Sequence, residues 1–232
     1  MKPIWLLIPG MLNNEKVWQD VILGLKEKAD IRVANVQTQN SIQDMANDCW
    51  ALIRDVKPDV PVYVAGFSMG GYVAIEMVSK PAVKLHGLVL LSTSGAEETM
   101  ESRAQREKTI HYLQSDFPKT LEGLVKWNTH EPSDDFLTLL KEMMHDVGAE
   151  TAIRQIKAIS NRTSHRHVLE KLQMPVKVLC GAHDRVIPIQ RTNELASWIA
   201  GSQLEIIADA GHMLPMEQPQ AVVNACLKLM GQ

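Results

Sequence analysis

Short, largely unbroken apolar runs alternate along this chain with segments whose apolar positions recur every three or four residues. Runs such as Ile4–Ile8 (IWLLI), Pro61–Ala65 (PVYVA) and Val176–Cys180 (VKVLC) have the length and β-branched content of strands buried on both faces. The pattern predicts strands near 3–8, 31–36, 61–66, 86–91, 175–180 and 204–207. Helices are predicted between and after them, near 14–28, 42–56, 69–80, 189–200 and 218–230. Ser41-Ile42-Gln43-Asp44 has the spacing of a capping box with Asp in place of Glu, which marks a helix start. Regular alternation of this kind predicts the α/β class, a doubly wound, mostly parallel sheet with helices on both faces.

One interval breaks the alternation. Ser94 to Met174 is far longer than a single crossover helix and its loops require. It carries helical patterns near 98–113, 119–127, 134–146, 149–160 and 164–171. The expectation is a core built from 1–94 and 175–232, with 95–174 inserted as helices. A chain of 232 residues can bury all of this as one domain.

The chemistry is concentrated at three strand ends. Gly66-Phe67-Ser68-Met69-Gly70 lies between a strand-like and a helix-like run, the placement of a nucleophile elbow. Glycines let the chain turn sharply there, and the next helix aims its N-terminal amides at any negative charge that forms. Gly181-Ala182-His183-Asp184 follows the 175–180 run, and Ala210-Gly211-His212 follows the 204–207 run. Parallel strands end on one side, so Ser68, Asp184 and His212 can converge there, in the chain order this architecture uses.

A serine hydroxyl needs a base within hydrogen-bond reach. Imidazole, with an ordinary pKa near 6.5, suits that role, assigned to His212. Asp184 would orient the ring and stabilise it once charged. Backbone N–H groups of Met69, after the nucleophile, and Met11, on the loop after the first strand, would hold the oxyanion. Asp209, three residues before His212, is the rival acid; its other reading is a turn residue closing the last strand. His183 reads as a loop histidine.

The segments LLIPGM, GFSMGG, GAHDRVIP and AGHMLPMEQP, spread over nearly the whole chain, resemble the α/β-hydrolase fold superfamily. Within it the chain is most similar to small single-domain esterases of the pimeloyl-ester carboxylesterase and enol-lactonase kinds. The departure is Pro9, where such proteins usually carry the His of a His-Gly pair. Some relatives place the acid after the strand matching 86–91, but Ser92-Thr93-Ser94 offers none. The resemblance implies that the helical insertion is a cap, or lid, over Ser68. It implies a cofactor-free serine hydrolase acting on a small ester, thioester or lactone. The same triad also serves perhydrolases of the haloperoxidase type and C–C bond hydrolases, and a ligand-sensing protein can retain it without turnover.

Composition adds boundaries. A net charge of −3 offers no field for nucleic acid or an anionic membrane. Cys49, Cys180 and Cys226 sit on apolar segments and read as reduced core thiols, which fits a cytoplasmic protein. The apolar start of MKPIWLLIPG is too short for a signal-peptide core and reads as the first strand. No CxxC or His/Cys cluster is present, and His165 and His167 are spaced off one helix face, so no metal site is expected. Of twelve methionines, Met11, Met69, Met213 and Met216 flank the motifs, a pattern suited to an adaptable apolar acyl pocket. Trp127, Met143 and Met144 in the insertion, with Met213, are the expected substrate lining. Trp18 reads as core. The glutamate- and arginine-rich run from Glu97 to Arg106 reads as a solvated helix face. The oligomeric state is left open.

Overall fold

Alternation of side chains along each strand places two sets of apolar residues on opposite faces of one sheet. A computed structural model describes residues 1–231. Its sheet contains six strands: β1 (Ile4–Ile8), β2 (Asp30–Val33), β3 (Val62–Phe67), β4 (Gly87–Leu91), β5 (Val176–Gly181) and β6 (Gln203–Ile207). All pair in parallel, in the order β2-β1-β3-β4-β5-β6. Ile4, Leu6 and Ile8 of β1 join one apolar cluster, and Trp5 and Leu7 join the other.

Each face is covered by helices. Helix α2 (Ile42–Ile53) and α3 (Met69–Ser79) cover the first face. The buried positions of α2 are Ile42, Met45, Ala46, Cys49, Trp50 and Ile53, an amphipathic stripe at three- and four-residue spacing. Its start is set by Ser41, whose hydroxyl accepts from the Asp44 N–H at 3.0 Å and donates to the Asp44 carboxylate at 2.7 Å. The spacing is that of a capping box, but the acid meets the cap's hydroxyl rather than its amide. On the second face lie α1 (Gln19–Leu25), through Val21 and Leu25, and α11 (Pro219–Leu229), through Val222 and Val223. The helix expected over 14–28 divides. Asn14 takes the Lys16 N–H on its side chain and starts a 3-10 turn over Glu15–Trp18, and α1 follows. Trp18 is fully buried.

Between β4 and β5 the chain forms α4 (Met100–Ser115), α5 (Phe117–Trp127), α6 (Asp134–Val147), α7 (Ala149–Ser160) and the single turn α8 (Arg166–Leu169). Helix α4 opens with a reciprocal capping box between Thr99 and Ser102. Leu121, Leu140 and Ile156 from this insertion pack into the sheet's second cluster. After β5, α9 (Ile189–Trp198) returns to the first face, and the turn α10 (Leu214–Glu217) leads into α11. The three cysteines are buried and unpaired, and burial pushes the Cys49 and Cys226 thiols up, away from the reactive thiolate. Among the described residues no helix is long and apolar enough to cross a membrane.

Candidate active site

The strand order changes direction between β1 and β3, and the crevice at their carboxyl ends is where an open α/β sheet binds ligands. Ser68 stands there, one residue past β3. Its backbone lies at φ 52°, ψ −114°, a conformation that costs a side-chain-bearing residue about 1–3 kcal/mol. Neighbouring bonds hold it: the Ser68 N–H donates to Leu91 O at 2.9 Å, and its carbonyl accepts from Thr93 Oγ1 at 2.8 Å. Close approach explains the flanking glycines. A Cβ on Gly66 would lie 2.4 Å from Gly70 O, and one on Gly70 would lie 2.1 Å from Ile8 O.

Strand β5 delivers Asp184 and the loop after β6 delivers His212. His212 Nε2 is 2.9 Å from Ser68 Oγ, and its Nδ1 is 2.9 Å from Asp184 Oδ2. Asp184 Oδ1 accepts the Val186 and Ile187 N–H groups, both at 2.9 Å, which fixes the carboxylate against the imidazole. His212 and Asp184 are buried, while Ser68 keeps some contact with solvent. Asp209, the rival acid, makes no hydrogen bond to His212: it is exposed, at φ 51°, its carbonyl accepting from Gln218.

Two amides of the loops next to this serine have no other employment. Among the described residues neither the Met69 N–H, at the start of α3, nor the Met11 N–H, on the loop after β1, donates to another protein group. The β1 loop is strained at Leu12, φ 59°. Gln155 of α7 holds it: fully buried, its Oε1 accepts the Leu12 N–H at 3.0 Å and its Nε2 donates to Val36 O at 2.9 Å. A residue of the insertion thus braces the loop that carries Met11.

A cavity of about 450 Å³ opens onto Ser68. Met11, Met213, Met144 and Trp127 line it, together with Ile156 and Ile159. Met143 does not. Adjacent helical residues point about 100° apart, so when Met144 faces the cavity Met143 turns into the core. Met69 is buried in the cluster on the first face, and Met216 packs against the cluster on the second. The run from Glu97 to Arg106 is not simply solvated: Ser102, Gln105 and Arg106 form a polar wall of the cavity. Behind it, Glu98 pairs with Arg106 at 2.9 Å and with Arg162. Burial alone would raise the Glu98 carboxyl, but the bonds from Arg162 and Arg106 outweigh it and hold the group below its usual range.

A further set of bonds joins the end of α5 to the core. Asn128 O accepts the His212 N–H at 2.9 Å, and Arg185 donates to Thr129 O at 2.9 Å and to the Lys126 and Trp127 carbonyls. The Arg185 guanidinium also lies over the Trp127 ring, 5.0 Å from its centre. Glu217 accepts from His130 N–H at 2.7 Å and Gly211 N–H at 3.0 Å, while burial raises its carboxyl against those bonds. Arg185 and Glu217 lie inside the motif segments, yet neither position is expected from sequence to tie the insertion to the core. Gln155 has no sequence signal, being one polar residue in an amphipathic helix.

A family model described as serine aminopeptidase, S33 (Hydrolase_4) matches residues 32–219. Among curated proteins, the pimeloyl-(acyl-carrier protein) methyl ester esterase of Neisseria meningitidis serogroup C is 25% identical over 164 residues, 66% of this chain and 63% of that protein. Carboxylesterase YbfK of Bacillus subtilis is 26% identical over 172 residues, 72% of this chain and 57% of that protein. The chain thus spans less than two thirds of the length of either relative. Among solved structures, a thermophilic esterase from Thermogutta terrifontis superposes with a TM-score of 0.86 at 23% identity, covering 99% of this chain and 89% of that one.

Proposed function

The chain belongs to the Hydrolase_4 family, and on that premise we propose that it cleaves a small carboxylic ester, thioester or lactone through an acyl-enzyme on Ser68. The observation that carries this reading is the continuous relay from Ser68 Oγ through His212 to Asp184. Ser68 Oγ attacks the substrate carbonyl carbon while its proton passes to His212 Nε2. Asp184 holds the ring and stabilises the imidazolium that forms. The carbonyl oxygen becomes an oxyanion accepting from Met11 and Met69 N–H. As the intermediate collapses, the bond to the leaving oxygen or sulfur breaks and His212 returns the proton to it. Water then repeats the sequence on the acyl-enzyme and releases the acid.

The cavity wall formed by Met11, Met144, Met213 and Ile156 supports an apolar acyl portion, and the Gln105–Arg106 side supports polar groups at its far end. The names of the curated relatives, a methyl ester esterase and a carboxylesterase, fit the same reaction class. Reaction with a fluorophosphonate, read by peptide mapping, should give one adduct on Ser68, with turnover of p-nitrophenyl acetate through octanoate. Ser68→Ala should lose both, its kcat falling by ~10⁴-fold or more with an unchanged melting temperature. Labelling elsewhere, or turnover retained in Ser68→Ala, would overturn the proposal.

A further inference from the structure

Beside Asp184 a crevice of about 570 Å³ is lined in part by side chains that the hydrolytic reading does not use. His130, on the turn after α5, and His183, after β5, stack with ring centres 3.6 Å apart and planes 10° from parallel. Asp209, after β6, completes the group: one donor atom from each of the three lies within 4.8 Å of the other two. These residues join the protein's hydrogen bonds through their backbones only. His130 N donates to Glu217, His183 N donates to Ala210 O, and Asp209 O accepts from Gln218. Three donor groups from three separate loops therefore meet at one point with no partner among the described residues. Arg185 borders the crevice, but its guanidinium is engaged by the carbonyls at the end of α5.

We infer that this crevice binds one divalent transition-metal ion, of the zinc, nickel or copper class, through His130, His183 and Asp209. Two imidazoles and a carboxylate suit these borderline ions; magnesium and calcium prefer oxygen alone. Three protein ligands leave a fourth position open to water. Zinc–nitrogen bonds of ~2.0–2.1 Å place tetrahedral donors roughly 3.3 Å apart, so the side chains must close by about 1–2 Å. An ion also lies in the plane of each ring that binds it, so one imidazole must turn out of the stack. His183 and Asp209 are exposed and can make that adjustment through side-chain rotation. The inference departs from the expectation of no metal site, which rests on the lack of a local ligand cluster: the three side chains are 53 and 26 residues apart along the chain but adjacent in the fold. An ion in this position links the insertion, through His130, to the two loops that carry Asp184 and His212.

Calorimetric titration of the EDTA-treated chain with zinc chloride should give one ion per molecule. At a hundredfold excess over Kd the melting temperature should rise by about 5 °C or more. Magnesium chloride should do neither. His130→Ala, His183→Ala and Asp209→Asn should each weaken zinc binding by at least ~10-fold. Melting in EDTA checks that each variant is folded, and the two exposed positions keep the test available if His130→Ala is not. Absence of zinc binding to the folded wild type, an equal response to magnesium, or binding that survives the substitutions would overturn the inference.

Discussion

Replacing Gln155 by leucine tests whether the insertion supports the catalytic loop. The side chain is fully buried, and its amide satisfies two backbone groups, the Leu12 N–H and the Val36 carbonyl. Leucine fills the volume and leaves both without partners. Each orphaned group costs ~1–3 kcal/mol, and partial relaxation brings the pair to roughly 2–4 kcal/mol. In a chain of this size that lowers the melting temperature by about 5–15 °C. Strain at Leu12 makes the loop ready to move once its amide is released. Loss of one oxyanion donor costs ~10²–10³ in kcat, so if Met11 serves in the proposed role its displacement should cost about 10–10², with KM nearly unchanged. Gln155→Glu separates the two bonds: a carboxylate can still accept from Leu12 but cannot donate to Val36. The expected order of kcat is wild type, then Glu, then Leu, with both variants less stable in thermal melts. Wild-type kcat in a destabilised Gln155→Leu protein would refute the bracing role, and wild-type stability would refute the energetic account.

Two further outcomes follow from the site. Asp184→Asn should lower kcat/KM by about 10⁴-fold with the fold retained, and a loss under tenfold would remove Asp184 as the orienting acid. Glu98→Gln should destabilise the protein by ~1–3 kcal/mol at pH 7, because it weakens buried charge-assisted bonds to Arg162 and Arg106. Since the folded carboxyl is held low, its contribution is present above the unfolded value of ~4.3 and is lost as pH falls through the lower folded value. The gap between wild type and variant in melting temperature should therefore close on acidification below about pH 4; a gap independent of pH would contradict this.

The features legible in sequence are those with a local cause. Four of the six strands, β1, β3, β4 and β5, are legible because they are buried throughout, which favours continuous apolar runs. Ser68 was legible because its turn demands glycine at positions where a Cβ would strike backbone. Long-range pairings were not. Nothing near Gln155 in the chain indicates that it meets Leu12, and nothing in the Glu97–Arg106 run indicates that Glu98 is buried between two arginines. Met143 and Met144 are equally apolar, and only the rotation of α6 decides which of them faces the cavity. The break between the 3-10 turn and α1 was also hidden, since both have helix-like periodicity.

The position of the insertion bears on how the chain reaches this state. Leu88 of β4 pairs with Val176 of β5, and every residue of α4 to α8 lies between them. The equilibrium penalty is small: an intervening segment about four times a simple crossover adds only ~1.2 kcal/mol of closure entropy. The kinetic effect is larger, because non-local pairing is the slow step of assembly. Strands β1 to β4 and their helices can associate first, leaving the apolar edge of β4 (GLVLL) open until β5 arrives. During that interval the half-built sheet exposes an unpaired edge to other copies of itself. Refolding yield should thus depend on protein concentration, with nascent chains most vulnerable after β4 has emerged and before β5 has been made.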